Sequence, residues 1–447
     1  MVNWLLSLPV LVKVLTSLLL ILILHAITHR LHLAILAGIL ALAFSSGHGM
    51  AEAGSIAFER LTDTSNLMLL AVVYMVVMLS SQMSRTGMMR RLVVAVRRRV
   101  SREHAMGILP GLIGLLPMPG GALFSAPLVD SCDPDNHVPG LLKAQANHWF
   151  RHSWEYWWPL YPSVLVAMEI TGFEVWQMMF MGVPLMLGGL AAGYAFILGP
   201  ITSHEESSQR DEETEFADSI IRPMCPILIV IVVYALISGG YTVASVFDIP
   251  LPALNRYMPM ATGLICAMAM LQIMRPVDRK GWLHIVFSSR TLNMLVIVAL
   301  VRIYGAYIQA NQPGGDPLMT LMRREMFQWG IAPGLVIMLL PFVSGLATGI
   351  GVGFVGASFP IVMMFVPETG GFWTALPIIM LAYACGYMGI VLSPVHVCVI
   401  VTCEHYEVPV PQLLLKLLRP ALVVVLWAIL LYAFYQHLLP ILSVLPS

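Results

Sequence analysis

Apolar runs long enough to cross a lipid bilayer recur along the chain, and short polar stretches separate them. A transmembrane helix needs about 20 mostly apolar residues. Apolar runs of this kind lie at residues 4–24, 64–83, 173–198, 223–237, 258–274, 291–310 and 420–439, with a shorter one at 31–44. The pattern predicts an all-α polytopic membrane protein in which these runs form membrane-spanning helices.

Two further apolar stretches, at 109–129 and 340–360, contain prolines and glycines that interrupt a helix. In the first, Pro-Met-Pro-Gly-Gly at 117–121 cannot be helical, because its prolines lack a donor and its glycines favour a turn. Each stretch begins with Leu-Pro and has a glycine four residues after that proline, Gly114 or Gly345. The sequence therefore predicts two re-entrant hairpins, each made of two half-length helices that meet at a tip.

The order of these segments is the same in the two halves of the chain. The first half (1–200) comprises scaffold helices (1–84), an arm (85–104), a hairpin (105–131), an interrupted helix (141–168) and a span (173–198). A hydrophilic cytoplasmic linker (201–219) precedes the second half (220–447), with scaffold helices (220–312), an arm (313–329), a hairpin (330–365), an interrupted helix (372–402) and a span (420–439). Each half crosses the membrane an odd number of times, which predicts two inverted repeats.

Composition supports a membrane protein and excludes several other classes. The 447 residues are 58% hydrophobic and 11% charged, whereas a soluble protein has about 25% charged residues. The net charge is zero, so nothing indicates a nucleic-acid partner. Arginines are concentrated in the first arm, and the positive-inside rule then predicts that both termini lie outside the inner membrane. The six cysteines are scattered, and we interpret them as buried small apolar residues without disulfides or zinc.

Two motifs carry a resemblance to known transporters. They are Leu-Pro-Met-Pro-Gly-Gly at 116–121 and Trp-Glu-Tyr-Trp-Trp-Pro at 154–159. The chain resembles the ion transporter superfamily, which includes divalent-anion/sodium symporters, gluconate permeases and relatives of arsenite permease. It is most similar there to a prokaryotic family without an assigned function. The resemblance implies an elevator mechanism and a homodimer. The symporters carry Ser-Asn-Thr at their tips and this chain does not, so their sodium coupling and dicarboxylate specificity are not carried over.

The two hairpin tips are the first candidate for substrate binding. Half-helices that end within the membrane leave backbone groups unpaired, and their N-terminal ends favour anions. Non-helical backbone at this depth lasts only where protein buries it or a polar cavity solvates it. The candidate residues at and beside the tips are Pro117, Pro119, Gly120, Gly121, Ser125, Ser344, Thr348, Gly349, Gly351, Gly353 and Ser358. The alternative is that these small residues only allow close helix packing.

A cluster of ionisable residues follows the first hairpin. His148, Arg151, His152 and Glu155 have the spacing of one helical face, and ionisable groups inside a membrane are usually functional. Arg151 could bind an anion through two hydrogen bonds, and Glu155 or a histidine could carry a coupled proton. Alternatively, Glu155 only pairs with Arg151. A metal site at His148, His152 and Glu155 has suitable spacing, but Arg151 between them would repel the ion.

Three other positions are candidates for the coupling ion, in addition to His152 and Glu155. Asp130 follows the first hairpin, close to two other polar residues. Ser393 and His396 flank Pro394, where backbone carbonyls could hold an ion. Arg302 lies within a span and must pair or face a cavity, and we favour pairing.

These observations predict a secondary transporter of the inner membrane, not an enzyme and without a cofactor. It would move a small anionic organic solute by alternating access, coupled to H⁺ or Na⁺. One alternative is a cation/proton antiporter that uses Asp130 and Glu155. Another is a membrane-embedded metalloenzyme, although the chain has no H-E-x-x-H, G-x-S-x-G or paired-Asp motif. An ATP-driven pump is disfavoured, because the chain has no G-x-x-x-x-G-K-[ST] motif and no soluble domain that could hold one. A channel is a further alternative, but two hairpins of opposite orientation suit a gated carrier better.

Overall fold

The structure is a computed structural model. The structure describes residues 8–97, 99–117, 121–202, 221–312, 315–367, 369 and 371–442. This part of the chain is helical, with one isolated bridge between Asn311 and Pro317. The prediction of an all-α fold is confirmed. The linker predicted at 201–219 lies almost wholly outside the described residues, as do Pro119 and Gly120 at the first tip.

The first half contributes ten helices within the described residues. They are α1 (Val10–Thr28), α2 (Leu31–Ser45), α3 (Met50–Thr62), α4 (Thr64–Arg85), α5 (Met88–Arg97), α6 (Arg102–Gly114), α7 (Ala122–Asp130), α8 (Gly140–Arg151), α9 (Pro162–Thr171) and α10 (Val175–Gly193). A π-helical turn at Tyr194–Leu198 and a short turn at Gly199–Thr202 continue α10. The two hairpin halves, α6 and α7, are each too short to cross a bilayer alone.

The second half contributes helices in the same order. They are α11 (Ile221–Val246), α12 (Met258–Met274), α13 (Arg279–Val286), α14 (Ser289–Gln309), α15 (Leu318–Gln328), α16 (Pro333–Thr348), α17 (Gly351–Val362), α18 (Gly371–Val391), α19 (Val397–His405) and α20 (Val410–Leu442). Among the described residues, seven helices are long and apolar enough to cross a membrane, or eight if the bent pair α15 and α16 counts as one. A multi-pass membrane protein is therefore confirmed.

The helices form two packed groups. In the first group α1 packs on α2, α2 on α14, and α4 on both α14 and α12. In the second group α6 and α7 pack on α8, α16 packs on α18, and α18 packs on α20. Helix α19 from the second half packs on α7 and α8 from the first half. The groups meet where α17 contacts α14 and where α9 contacts α4.

Glycine allows each hairpin to contact its interrupted helix through the backbone. A Cβ atom added at Gly114 would lie 1.9 Å from the Arg151 carbonyl oxygen, and one added at Gly345 would lie 2.1 Å from the Gly386 carbonyl oxygen. No side chain fits in either place. These are the two glycines that follow the matched Leu-Pro pairs in the sequence. The same kind of contact, a glycine packed against a backbone carbonyl, therefore holds the two hairpins against α8 and α18.

Two local predictions from the sequence are wrong. Helix α8 ends at Arg151, so Glu155 lies in a turn after the helix and not on the same helical face. The cysteines were expected to be buried, but Cys266 is exposed and Cys225 is half-buried. All six are free thiols, as expected.

Candidate functional site

Four non-helical segments meet at a cavity of about 390 Å³, a size suited to a small organic molecule. Two of the segments are the hairpin tips, and two are the breaks in the interrupted helices, before α9 and before α19. The opposite wall is formed by α4 and the start of α14. The polar and tip residues that line the cavity include Ser80, Ser81, Ser84, Arg85, Pro117, Arg151, His152, Glu155, Ser163, Ser288, Thr291, Gly351, His396 and Cys398.

Three imidazole rings form a cluster on one side of this cavity. His148 and His152 come from the end of α8, and His396 lies in the break before α19. The ring centroids of His152 and His396 are 4.8 Å apart, and those of His148 and His152 are 4.9 Å apart. All three side chains are almost fully buried. One ring nitrogen of each histidine lies within 4.8 Å of the corresponding nitrogens of the other two.

Each ring is oriented by one oxygen acceptor. Nδ1 of His152 lies 2.7 Å from Oε1 of Glu155, and Nε2 of His148 lies 3.0 Å from the Val391 carbonyl oxygen. Nδ1 of His396 is bonded to the Gly349 carbonyl oxygen. Carbonyl and carboxylate oxygens only accept hydrogen bonds, so each of these nitrogens carries a proton. The second hairpin tip thus fixes the orientation of His396.

Arg151 connects the cluster to the first hairpin tip. Its Nη1 atom lies 2.8 Å from Sγ of Cys398. A Cβ atom added at Gly121 would lie 2.3 Å from Nη2 of Arg151, so the guanidinium group is packed directly against the tip backbone. Arg151 is 4% exposed, yet it lines the cavity. A planar guanidinium group in this place can present two parallel donors to an anion.

The Trp-Glu-Tyr-Trp-Trp-Pro motif forms the turn that places Glu155. The indole Nε1 of Trp154 donates to the Gly111 carbonyl oxygen at 2.7 Å, which ties the turn to α6. From the other side, the Tyr383 hydroxyl donates to the Glu155 carbonyl oxygen at 2.8 Å. Because the turn is hydrogen-bonded to α6 on one side and to α18 on the other, it is held firmly although it is not helical.

The hydroxyl groups around the second tip satisfy the local backbone. The Thr348 hydroxyl donates to the Ser344 carbonyl oxygen at 2.7 Å, and the Ser393 hydroxyl donates to the Leu346 carbonyl oxygen at 2.6 Å. Gly349 adopts a left-handed conformation, with φ of 64°. A Cβ atom at Gly351 would lie 2.6 Å from Cβ of Ser163 on α9. This tip is therefore closely packed against both interrupted helices.

Some sequence candidates lie away from the cavity. Asp130 pairs with His405 at 2.6 Å and lies 3.6 Å from Nζ of Lys143. Lys143 also pairs with Asp133 at 2.8 Å. Burial opposes ionisation of Asp133, but Lys143 and two backbone amides outweigh this and lower its pKa. Ser125 donates to the Gly121 carbonyl oxygen within its own hairpin. These contacts stabilise the loop after the first hairpin.

Arg302 forms an ion pair between the two packed groups of helices. Its Nη2 atom lies 2.7 Å from Oε1 of Glu169, and the Tyr257 hydroxyl donates to Oε2 of Glu169 at 2.6 Å. Nε of Arg302 lies 3.4 Å from Oδ1 of Asn66. The pairing expected for Arg302 is present. Nothing in the sequence marks Glu169 as the partner, because this residue stands near the end of a span, where charges are common.

The scaffold wall of the cavity is not apparent from the sequence. Ser80, Ser84 and Thr291 lie in ordinary apolar helices, where a hydroxyl group usually bonds its own helix backbone. The repeated Ser-Ser at 80–81 and the Ser at 84 are a weak signal, since they place hydroxyls along one side of α4. Only the tertiary fold, which places α4 and the hairpin tips around one cavity, brings these residues together.

A family model described as "Protein of unknown function (DUF401)" matches residues 11–435. The match covers nearly the whole chain, and the chain belongs to this family. No protein of curated function matches the sequence.

Proposed function

We propose that this member of the DUF401 family is a secondary transporter that carries a small anionic organic solute by alternating access. The single observation behind this proposal is the cavity of about 390 Å³ at which both hairpin tips, both helix breaks and the scaffold wall meet. Paired interrupted segments in the two halves of a membrane protein are typical of transporter binding sites.

Arg151 is the residue that we expect to recognise the anion. It is the buried cation of the cavity wall, and it is held by the first tip and by Cys398. The N-terminal end of α17, at Gly351 and Val352, also lines the cavity. A helix N-terminus carries about half a positive charge, which adds to the attraction for an anion.

The mechanism that we propose is an elevator movement. In it, α6–α9 and α16–α19 move as one body against a scaffold that includes α4, α12 and α14, and two copies of the chain associate through the scaffold. The cavity supports this division, because one wall belongs to the hairpins and the other to the scaffold. The driving ion is H⁺ or Na⁺. Inverted repeats require the two arms to lie on opposite sides of the membrane.

Arg91→Cys on α5 and Arg323→Cys on α15 test this topology, since both side chains are exposed. In sealed right-side-out and inverted vesicles, an impermeant thiol reagent should label the two variants from opposite sides. The native cysteines give the background, measured on the unmodified chain. Labelling of both arms from the same side would contradict the inverted repeats.

A thermal-shift screen tests the solute and the driving ion. Purified protein is heated with small carboxylates, phosphonates or sulfonates, while pH and sodium concentration are varied independently. A solute that binds only the folded protein raises the unfolding temperature by mass action. The proposal expects at least one such anion, whose shift depends on pH or on sodium.

The Arg151→Lys variant identifies the binding residue. Lysine keeps the charge but loses the planar pair of donors, and a hydrogen bond to a charged group contributes about 1.5–3 kcal/mol. We expect the anion to bind about tenfold more weakly or worse, whereas the exposed control Arg323→Lys leaves binding unchanged. Shifts with cations alone, and with no anion, would refute anion transport and favour the cation/proton antiporter.

A further inference from the structure

The histidine cluster has an unusual arrangement of free nitrogen atoms. Nε2 of His152 and Nε2 of His396 face each other at 3.2 Å. Each of these rings already donates its Nδ1 proton, to Glu155 and to the Gly349 carbonyl oxygen. In neutral imidazoles both facing Nε2 atoms are therefore acceptors, with lone pairs directed at each other. The Cys398 thiol is hydrogen-bonded to both rings, but its single proton can satisfy only one of the two lone pairs. The contact is therefore stable only if a further proton or a metal ion bridges the two atoms.

His148 supplies a third nitrogen of the same kind. Its Nε2 donates to the Val391 carbonyl oxygen, so its Nδ1 is also an acceptor. This Nδ1 atom is buried and has no hydrogen-bond partner, and the residue is 1% exposed. A buried polar atom without a partner costs about 1–3 kcal/mol. A proton shared by His152 and His396 would leave that atom unsatisfied, whereas a metal ion that binds all three rings would not.

The partners of the three rings match the surroundings of a metal site. Histidines that bind a metal almost always donate their other ring proton to a carboxylate or a backbone carbonyl. Here Glu155, the Gly349 carbonyl and the Val391 carbonyl take these protons. The acceptors come from three different segments. They fix all three tautomers, and in His152 and His396 the free nitrogen faces the other ring.

The distances and ligand types favour a first-row transition metal. Zinc binds imidazole nitrogen at about 2.0–2.1 Å in a tetrahedron, whose edge is then about 3.4 Å. The pair His152 and His396 already has nearly this spacing, at 3.2 Å. The ligand nitrogens of the three rings lie within 4.8 Å of one another, so the third ring must approach by at most about 1.4 Å to reach an edge of about 3.4 Å. Sodium, magnesium and calcium prefer oxygen ligands, so three imidazoles suit them poorly.

The fourth position of such a site can face the cavity, because two of the three ligands, His152 and His396, line it. Arg151 lies beside this position and is bonded to Cys398. The charge of Arg151 disfavours a bare cation but favours a metal ion that carries an anion in its open position. We propose that His148, His152 and His396 bind one first-row transition-metal ion such as Zn²⁺, with an open fourth position towards the cavity. This site does not depend on the transport proposal.

Cobalt is a suitable probe, because tetrahedral Co²⁺ absorbs visible light much more strongly than octahedral Co²⁺. The full-length protein in detergent is treated with a chelator and titrated with Co²⁺ and then Zn²⁺, without any organic solute. We expect one tightly bound ion per chain, a tetrahedral spectrum, and displacement of Co²⁺ by Zn²⁺. Elemental analysis after gel filtration gives the stoichiometry.

Matched variants assign the ligands. His396→Gln and His148→Gln should each weaken Co²⁺ binding about 100-fold or more, and Glu155→Gln, next to a ligand, about 10- to 100-fold. The controls are His405→Gln, whose side chain pairs with Asp130, and the exposed His284→Gln; neither should change binding. The thermal unfolding midpoint without metal shows whether each variant is folded. If His396→Gln does not fold, His148→Gln provides the test of the ligands.

Three outcomes would overturn the proposal: no stoichiometric Co²⁺, an octahedral spectrum, or equal binding by the His148 variant and the unmodified chain. None of these three outcomes predicts the thermal shifts caused by anions, which are measured separately on the chelator-treated protein. Failure of the metal site and failure of the transport function are therefore distinguishable.

Discussion

The contact between the second hairpin and α18 allows a sharp test of the packing. Gly345→Ala would place a Cβ atom 2.1 Å from the Gly386 carbonyl oxygen and 3.0 Å from the Ile390 nitrogen. Ordinary contacts of a Cβ atom start at about 3.4 Å. The two helices must therefore separate by more than 1 Å, and no side chain can move aside because both contacting atoms belong to the backbone.

Forcing an extra methyl group into a packed interior costs about 1–3 kcal/mol. Alanine also stabilises a helix relative to glycine, by up to about 1 kcal/mol. Gly334→Ala is the matched control, because Gly334 lies in the same helix and nothing lies within 4 Å of its added Cβ. We expect Gly334→Ala to be neutral or slightly stabilising, and Gly345→Ala to be destabilising by about 1–3 kcal/mol.

The assay is thermal unfolding in detergent, followed by tryptophan fluorescence, for both variants and the unmodified chain. Because Gly345 precedes the tip that orients His396, Co²⁺ affinity should fall in Gly345→Ala as well. The reasoning is refuted if the two alanine variants unfold at the same temperature. In that case the hairpin and α18 do not touch through their backbones as described.

Two further predictions concern ion pairs outside the cavity. Removing one partner of the buried pair, by Arg302→Met or Glu169→Gln, should destabilise the protein by about 3–5 kcal/mol, whereas the double variant should recover much of this loss. Thermal unfolding measures these effects. If the losses of the two single variants simply add in the double variant, the two side chains do not interact. Asp133 has a pKa below its usual 3.8, so its contribution to stability is present above that pH and is lost as the pH falls through its lower folded value. Asp133→Asn should therefore lower the unfolding temperature at neutral pH and make the unfolding temperature less dependent on pH below about 4. If the unfolding temperature of the variant varies with acidic pH as it does in the unmodified chain, the pairing with Lys143 is contradicted.

The sequence alone determined the membrane character, the helices and their interruptions. Long apolar runs specify helices in a bilayer because the backbone must satisfy its own hydrogen bonds there. Proline and glycine specify the breaks because their effects on the backbone are local. For the same reason, Gly114 and Gly345 could be matched from sequence, although their shared contact with the interrupted helices could not.

The tertiary structure alone decided which polar residues act together. The sequence placed His148 and His152 next to each other, but it gave no reason to add His396, which comes from the break before α19. The same holds for Glu169 with Arg302, and for the scaffold serines opposite the tips. Such groupings depend on how helices distant in the chain pack, and hydropathy carries no information on that because almost every face of these helices is apolar.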